Sequence, residues 1–381
     1  MRIGIDYTAA ARQSAGIGRF TRELIRAAIS LDAVNDYRLL VAGRQPIAEA
    51  HLPPKGRPYR LVQTPLSERN LVRLWHRLQI PLPVEAFLGR LDIFHSPDFV
   101  LPPIAHAVKV LTIHDLSFLR VPECADPRLR WYLGQVVPRS VRRADFLLAD
   151  SESTRRDLIE LLAVPSDRVQ VIYGGVDARF APVQDAAALQ RMRDAYAGGR
   201  PYVLAVGTLE PRKNYPALIR AFAQARRAAR LPHALVIVGR KGWVYEPIFA
   251  AVDALNLRDE VLFPGFVPDE DLPALYSAAD VLVTPSFYEG FGLPALEAMA
   301  CGTPVIVSDV SSLPEVVGDA GLRIDPRDED GLTSAIVRVL QDSALRATLR
   351  SAGLARARQF TWDKAARALL AVYACLGGGC R

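Results

Sequence analysis

The chain has 381 residues, half of them apolar and 23% charged. That balance excludes a largely disordered protein, and the length favours two domains over one or three. Its net charge of +6 sits in the first half: residues 1–180 carry 25 Lys/Arg against 19 Asp/Glu, residues 181–381 carry 22 against 22. A basic half suits an anionic surface or acidic partner, but no zinc-finger, homeodomain or RNA-binding motif accompanies it, so nucleic acid is not an expected partner.

Short runs rich in Val, Ile and Leu alternate with helical stretches along the whole chain. In the first half they cover 2–6, 37–42, 92–95, 108–114, 145–150 and 169–172; in the second, 202–206, 234–238, 261–264, 281–284, 305–307 and 322–324. Strands apolar on both faces and alternating with helices predict an α/β protein with parallel sheets covered on both sides. Two such series predict two doubly wound, Rossmann-like domains, residues 1–180 and 181–361, with the linker near Gly174, Gly175 and Pro182. A last helix over 362–376 is expected to pack back on the first domain. Two such domains facing each other would enclose a cleft at the carboxyl ends of the strands, where open α/β sheets bind ligands.

The N-terminal MRIGIDYTAA reads directly as a strand without a secretory pattern, so a cytoplasmic chain is expected. After it comes SAGIGRF (14–20). Gly16-x-Gly18 resembles the opening of a dinucleotide fingerprint, but Thr21 replaces the third glycine and the loop from Asp6 is too long for that turn; the other reading is a flexible glycine lip. In RNLVRLWHRLQI (69–80), Leu71, Leu74, Trp75 and Leu78 recur at helical spacing among Arg69, Arg73, His76 and Arg77. Such a helix lies on an anionic membrane surface or packs its apolar stripe on its own domain. His95, and the pair His114-Asp115 in TIHDL, stand at strand ends, as core groups or ligand contacts.

In the second half, VGTLEPRKNY (206–215) follows a strand. Gly207 turns the chain, and Arg212 and Lys213 before the next helix suit a diphosphate. Asp269 in GFVPDEDL is placed to cap a helix beginning near Asp271. The most informative string is SFYEGFGLPALEAMACG (286–302). Gly290, Phe291, Gly292 and Leu293 form a glycine loop opening a helix, a natural phosphate site. Glu289 and Glu297, with seven residues between them, frame it; carboxylates repel phosphate, so each suits sugar or ribose hydroxyls. Cys124, Cys301, Cys375 and Cys380 lack Cys-x-x-Cys spacing and read as free thiols. The longest uncharged run, 368–380, has 13 residues, short of the roughly 20 that span a bilayer.

Together these strings resemble the retaining glycosyltransferases of family 4, with the GT-B fold of two facing Rossmann-like domains, over nearly the whole chain. The resemblance implies that Glu297 holds the nucleotide ribose. Glu289 and the backbone of residues 290–293 hold the transferred sugar and the diphosphate, with Arg212 and Lys213 on the phosphates. His114, beside Asp115, contacts the donor sugar, Gly16 closes over the diphosphate, and Asp269, as the alternative to capping, contacts the base. Many members carry an arginine directly after the phosphate-loop glycine, where this chain has Thr208. VGTLEPRKN and SSLPEVVGDA are similar to the branch with bacterial O-antigen and exopolysaccharide mannosyltransferases. That implies transfer of a hexose, mannose from GDP-mannose, to a saccharide or polyprenyl-linked saccharide, without cofactor or obligatory metal. The acidic strings at 269–271 and 328–330 read as helix caps. An enzyme peripheral on the inner face of the cytoplasmic membrane is the expectation that the basic half and the 69–80 segment together raise. A UDP- or other sugar nucleotide is the alternative donor. The other classes are an NADP-dependent oxidoreductase using Gly16–Gly18 and Arg44, and a non-catalytic sugar-nucleotide-binding protein.

Overall fold

The computed structural model describes residues 1–13 and 16–379; Ser14 and Ala15 of the glycine segment and the expected thiol Cys380 lie outside them. The chain divides into two compact units. One comprises Met1–Leu116, Trp131–Gly175 and the chain from Thr361 onward; the other comprises Ser117–Arg130 and Val176–Phe360. Residues 176–180 thus belong with the second unit, because the Val176 N–H donates to the Phe360 carbonyl and the Phe180 ring is buried in that unit's core.

The first unit has seven strands: β1 (Arg2–Asp6), β2 (Asp36–Val41), β3 (Tyr59–Gln63), β4 (Ile93–Ser96), β5 (Val108–Ile113), β6 (Phe146–Ala149) and β7 (Val169–Val171). They pair in parallel in the order β3-β2-β1-β4-β5-β6-β7. The second unit has β8 (Tyr202–Val206), β9 (Ala234–Val238), β10 (Val261–Gly265), β11 (Val281–Thr284), β12 (Val305–Ser308) and β13 (Leu322–Ile324), parallel in the order β10-β9-β8-β11-β12-β13. Both are doubly wound sheets, and the second switches direction between β8 and β11. Side chains alternate faces along a strand. Tyr202, Leu204, Ala234 and Val236 therefore enter one core layer, and Val203, Ala205, Leu235 and Ile237 the layer on the opposite face.

β3 is the strand that sequence patterning misses. YRLVQ has only Leu61 and Val62 between the polar Arg60 and Gln63 and lies half-exposed at the sheet edge, without the continuous apolar run of a central strand. The last helix, Trp362–Ala374, buries Ala365, Ala366, Leu369, Val372 and Tyr373 in the core of the first unit, together with Phe20, Leu24, Ile25 and Ala28 of helix Gly16–Leu31. The rings of Phe20 and Trp362 meet edge to face at 5.5 Å.

Several local expectations are corrected. Gly16–Phe20 is no flexible lip but the first turns of helix Gly16–Leu31, itself preceded by the short helix Thr8–Arg12. A Cβ on Gly18 would stand 2.5 Å from the Gln13 carbonyl oxygen and 2.8 Å from that of Ala9, so this glycine serves close packing of the two helices. The dinucleotide-fingerprint reading falls with it, because β1 leads into the short helix Thr8–Arg12 and not into the tight strand-to-helix turn that this fingerprint requires. The 69–80 segment is an α-turn, Glu68–Val72, continuing into a π-turn, Arg73–Arg77. Leu71 and Trp75 are buried against Val84, Leu88 and Phe94, and the Trp75 indole N–H donates to the Leu82 carbonyl at 2.9 Å. Its stripe packs on its own unit, while Leu78 and Ile80 beyond it are exposed. Asp328 caps its helix by accepting from the Gly331 N–H, but Asp271 makes no cap bond and accepts instead from the Tyr196 hydroxyl at 2.8 Å.

Candidate active site

The switch between β8 and β11 brings two loops side by side. From β8 the chain turns at Gly207, where a Cβ would lie 3.0 Å from both Lys213 Cε and the Tyr215 hydroxyl. A 3-10 turn, Pro211–Lys213, follows, and Asn214 at φ 56° passes the chain into helix Tyr215–Ala229. The Asn214 side-chain amide donates to the Pro285 carbonyl at 3.1 Å and to that of Pro326 at 2.8 Å. This fastens the basic turn to the exit of β11.

From β11 the chain runs through Ser286 to Gly292, whose φ of 109° lets helix Leu293–Ala300 begin. Pro294 occupies its first turn and has no N–H to leave unpaired; the N–H groups of Gly292 and Leu293 precede the first intrahelical bond. The Phe291 ring is buried and meets Phe360 at 6.0 Å. The Ser312 hydroxyl donates to the Glu289 and Phe291 carbonyls at 2.9 and 2.8 Å, and the Glu289 N–H donates to Ser311 Oγ at 2.9 Å. The string SSLPEVVGDA thus braces the glycine loop from behind.

Glu289 is 7% exposed and accepts three charge-strengthened bonds. Lys213 Nζ lies 2.6 Å from Oε1, Arg212 Nη1 3.0 Å from Oε2, and the Ser286 hydroxyl 2.6 Å from Oε1. Burial alone would raise its pKa; the two cations overcome that and hold it at about 2. Arg212 also pairs through Nη2 with Glu210 at 2.6 Å. Glu210 is a buried carboxylate not singled out from the sequence, though it stands in the same string. Two cations and two carboxylates therefore meet at the mouth of the glycine loop, Glu289 held by hydrogen bonds and Glu210 by its ion pair with Arg212.

Glu297 is the fifth residue of its helix, buried, and its Oε2 accepts from the Tyr276 hydroxyl at 2.9 Å. It lies one turn inside rather than in the first turn, so hydrogen bonding and not the helix dipole holds it. Gly239, at the end of β9, also escapes sequence reading. A Cβ there would fall 1.9 Å from the Gly207 carbonyl oxygen, and the glycine following a buried strand in VGRKG was its only signal. Asp269 pairs with Arg179 at 3.4 Å.

In the first unit, His114 pairs not with its neighbour Asp115 but with Asp150: Nδ1 lies 2.6 Å from Oδ2, and Nε2 2.7 Å from the Pro97 carbonyl. Burial pushes this histidine down, yet Asp150 and, beyond it, Asp98 lift it to about 9, so the ring is an imidazolium with both N–H groups engaged. His95 is the contrary case. It is fully buried between the Tyr373 hydroxyl at 2.6 Å and Thr112 Oγ1 at 2.7 Å, and burial pushes it down to about 3. It is a core histidine that ties the last helix to the sheet.

Comparison with known proteins covers both units. A family model described as Glycosyltransferase Family 4 matches residues 14–180, and one described as Glycosyl transferases group 1 matches residues 190–356. The chain is 37% identical over 286 residues to the O-antigen chain mannosyltransferase B of Escherichia coli, covering 74% of each. It is 34% identical to the serotype-specific mannosyltransferase WbdA of Escherichia coli, over 71% of this chain but only 34% of that larger protein. Among solved structures, sucrose-phosphate synthase from Thermosynechococcus elongatus superposes over 100% of both chains with a TM-score of 0.78 at 24% identity, a likeness of fold.

Proposed function

The chain belongs to the glycosyltransferases, its first half to family 4 and its second to group 1, and from that premise we propose that it moves mannose from GDP-mannose, with retention, to a saccharide or lipid-linked saccharide of a cell-surface polysaccharide. The observation that carries the reading is the Glu289 cluster, with Lys213 at 2.6 Å and Arg212 at 3.0 Å, set beside the start of helix Leu293–Ala300. Mannose comes from the mannosyltransferase relatives. The diphosphate takes Lys213, Arg212 and the helix start, and Glu297, oriented by Tyr276, takes the ribose hydroxyls. Asp269 is assigned to the guanine N–H groups, which would take the place of its ion pair with Arg179. The family roles of His114, Asp115 and Gly16 are carried over on the same footing.

Chemically, the acceptor hydroxyl oxygen bonds to the anomeric carbon on the face from which the diphosphate departs. The C–O bond to phosphate breaks, and the hydroxyl proton passes to the departing phosphate oxygen. A carboxylate held by two cations at a pKa of about 2 is a weak nucleophile, which favours Glu289 as a hydrogen-bond partner of the sugar over a covalent route. Hydrogen-bond donors aimed at the charge developing on the phosphate lower the barrier most, by ~3 kcal/mol each. A screen of GDP-, UDP-, ADP- and TDP-sugars by thermal shift and hydrolysis tests the donor. GDP-mannose at 100 times its dissociation constant should add ~2.7 kcal/mol of stability; preference for another sugar nucleotide overturns this assignment. The anomeric configuration of the product, read by NMR, tests retention.

Peripheral contact with an anionic membrane is proposed on the exposed Leu78 and Ile80 beside Arg77, in place of the buried Trp75. Among the described residues no helix is long and apolar enough to cross a membrane. Sedimentation with phosphatidylglycerol vesicles, lost in Leu78→Ser/Ile80→Ser, supports the contact; failure of the wild type to sediment removes it.

A further inference from the structure

β11 leads up to the glutamate cluster, and helix Leu293–Ala300 leads away from it, back toward the amino-terminal ends of the strands. At their far ends, next to Asp280 before β11 and Gly302 after the helix, lies a pocket of about 220 Å³. Arg193 from helix Ala186–Ala197 and Arg346 and Arg350 from helix Ser343–Ala357 line it, with Asp280 as the single carboxylate among the described residues of its lining. Asp280 stands 3.4 Å from His233 Nε2 and, among the described residues, forms no ion pair with an arginine.

The three guanidinium groups are largely uncommitted. Arg193 Nε is buried without a hydrogen-bond partner among the described residues. Arg346 uses Nη1 for the Val339 and Leu340 carbonyls, and Arg350 uses Nη1 for the Gly302 carbonyl at 3.3 Å. Each guanidinium has five N–H donors, so most of them meet no acceptor among the described residues. Gly302, at φ 78°, has room for the Arg350 guanidinium where a Cβ would meet Cζ at 3.0 Å. The second half of the chain is electrically neutral overall, so this concentration of cations is local. Three like charges around one cavity repel each other unless an anion joins them, and guanidinium forks match phosphate oxygens.

We propose that this pocket binds the phosphate of a small phosphorylated metabolite, at a site separate from the glutamate cluster. Its volume lies below the roughly 300–1,000 Å³ of drug-sized ligand pockets, which suits a phosphate or a pentose or hexose phosphate and not a complete sugar nucleotide. The inference stands on the pocket alone and does not depend on the donor assignment.

The test is thermal stability with inorganic phosphate and with ribose 5-phosphate, in wild type, Lys213→Gln and Arg193→Gln/Arg350→Gln. The expected result is a concentration-dependent rise in Tm in wild type that Lys213→Gln retains and the double variant loses. A larger effect of ribose 5-phosphate at equal concentration marks the sugar phosphate as the ligand, and an equal effect marks phosphate itself. If no protein responds, or if Lys213→Gln rather than the arginine variant removes the response, the proposal is overturned. Should the double variant fold poorly, Arg193→Gln alone serves, since the buried Arg193 Nε gives up no hydrogen bond among the described residues. It should weaken binding at least tenfold, and unchanged binding would reject the site.

Discussion

Glu289 and His114 show opposite uses of burial at single residues. Glu289 is depressed from 4.5 to about 2 by Lys213 and Arg212 against the pull of desolvation. Its stabilising contribution is therefore present above pH 4.5 and lost as pH falls toward 2. Lys213→Gln removes the nearer cation, so the carboxylate should titrate at higher pH and the acid limb of the stability profile should move up; transfer should fall roughly 100-fold or more. His114 runs the other way. Its raised pKa means that stability is complete below about 6.5 and is lost as pH rises through about 9. In Asp150→Asn that alkaline loss should vanish from a Tm-versus-pH series, because the imidazolium no longer has its partner. Tyr276→Phe leaves Glu297 with one fewer donor, a change worth about 1–3 kcal/mol. Donor KM should rise about tenfold while kcat moves less, and discrimination against a donor lacking a ribose hydroxyl should shrink.

At the scale of elements, the strands buried on both faces are the plainest to read. β8, β9, β11 and β12 are fully or almost fully buried and read directly from their Val/Ile/Leu runs. β3 does not, because an edge strand needs only one apolar face. The pair Glu289 and Glu297 is legible from spacing. Asp150 is not legible as the partner of His114, since the neighbours β5 and β6 bring together residues 36 positions apart. Nor is Tyr276, whose string gives no sign of its bond to Glu297. Gly18 shows how a motif can mislead: a Cβ there would strike the Gln13 and Ala9 carbonyls, so this glycine marks two helices in contact and not the tight turn of a dinucleotide fingerprint. Two substitutions test the packing. Gly18→Ala must push apart the backbones of two helices and should cost about 1–3 kcal/mol. Gly239→Ala drives a methyl into the Gly207 carbonyl, so it should destabilise by a similar or larger amount and also weaken donor binding through displacement of the basic turn. Urea denaturation for both, and donor titration for the second, provide the measurements.

For the whole molecule, the two units have separate cores, and the first is completed by the last helix of the described chain. Removal of residues 361–381 would uncover Phe20, Leu24 and Ile25 and leave His95 without the Tyr373 hydroxyl. The expected outcome is an aggregation-prone protein whose first unit loses amide protection in hydrogen exchange, while the second unit keeps its own. Tyr373→Phe is the mild version, costing about 1 kcal/mol. The same arrangement bears on how the protein is made. Translation at about 5–20 residues per second leaves the early sheet waiting on the order of 10–40 seconds for Leu369 and Val372 to emerge from the ribosome. In that interval the N-terminal half is a nascent chain with an open apolar face and a need for chaperone shelter.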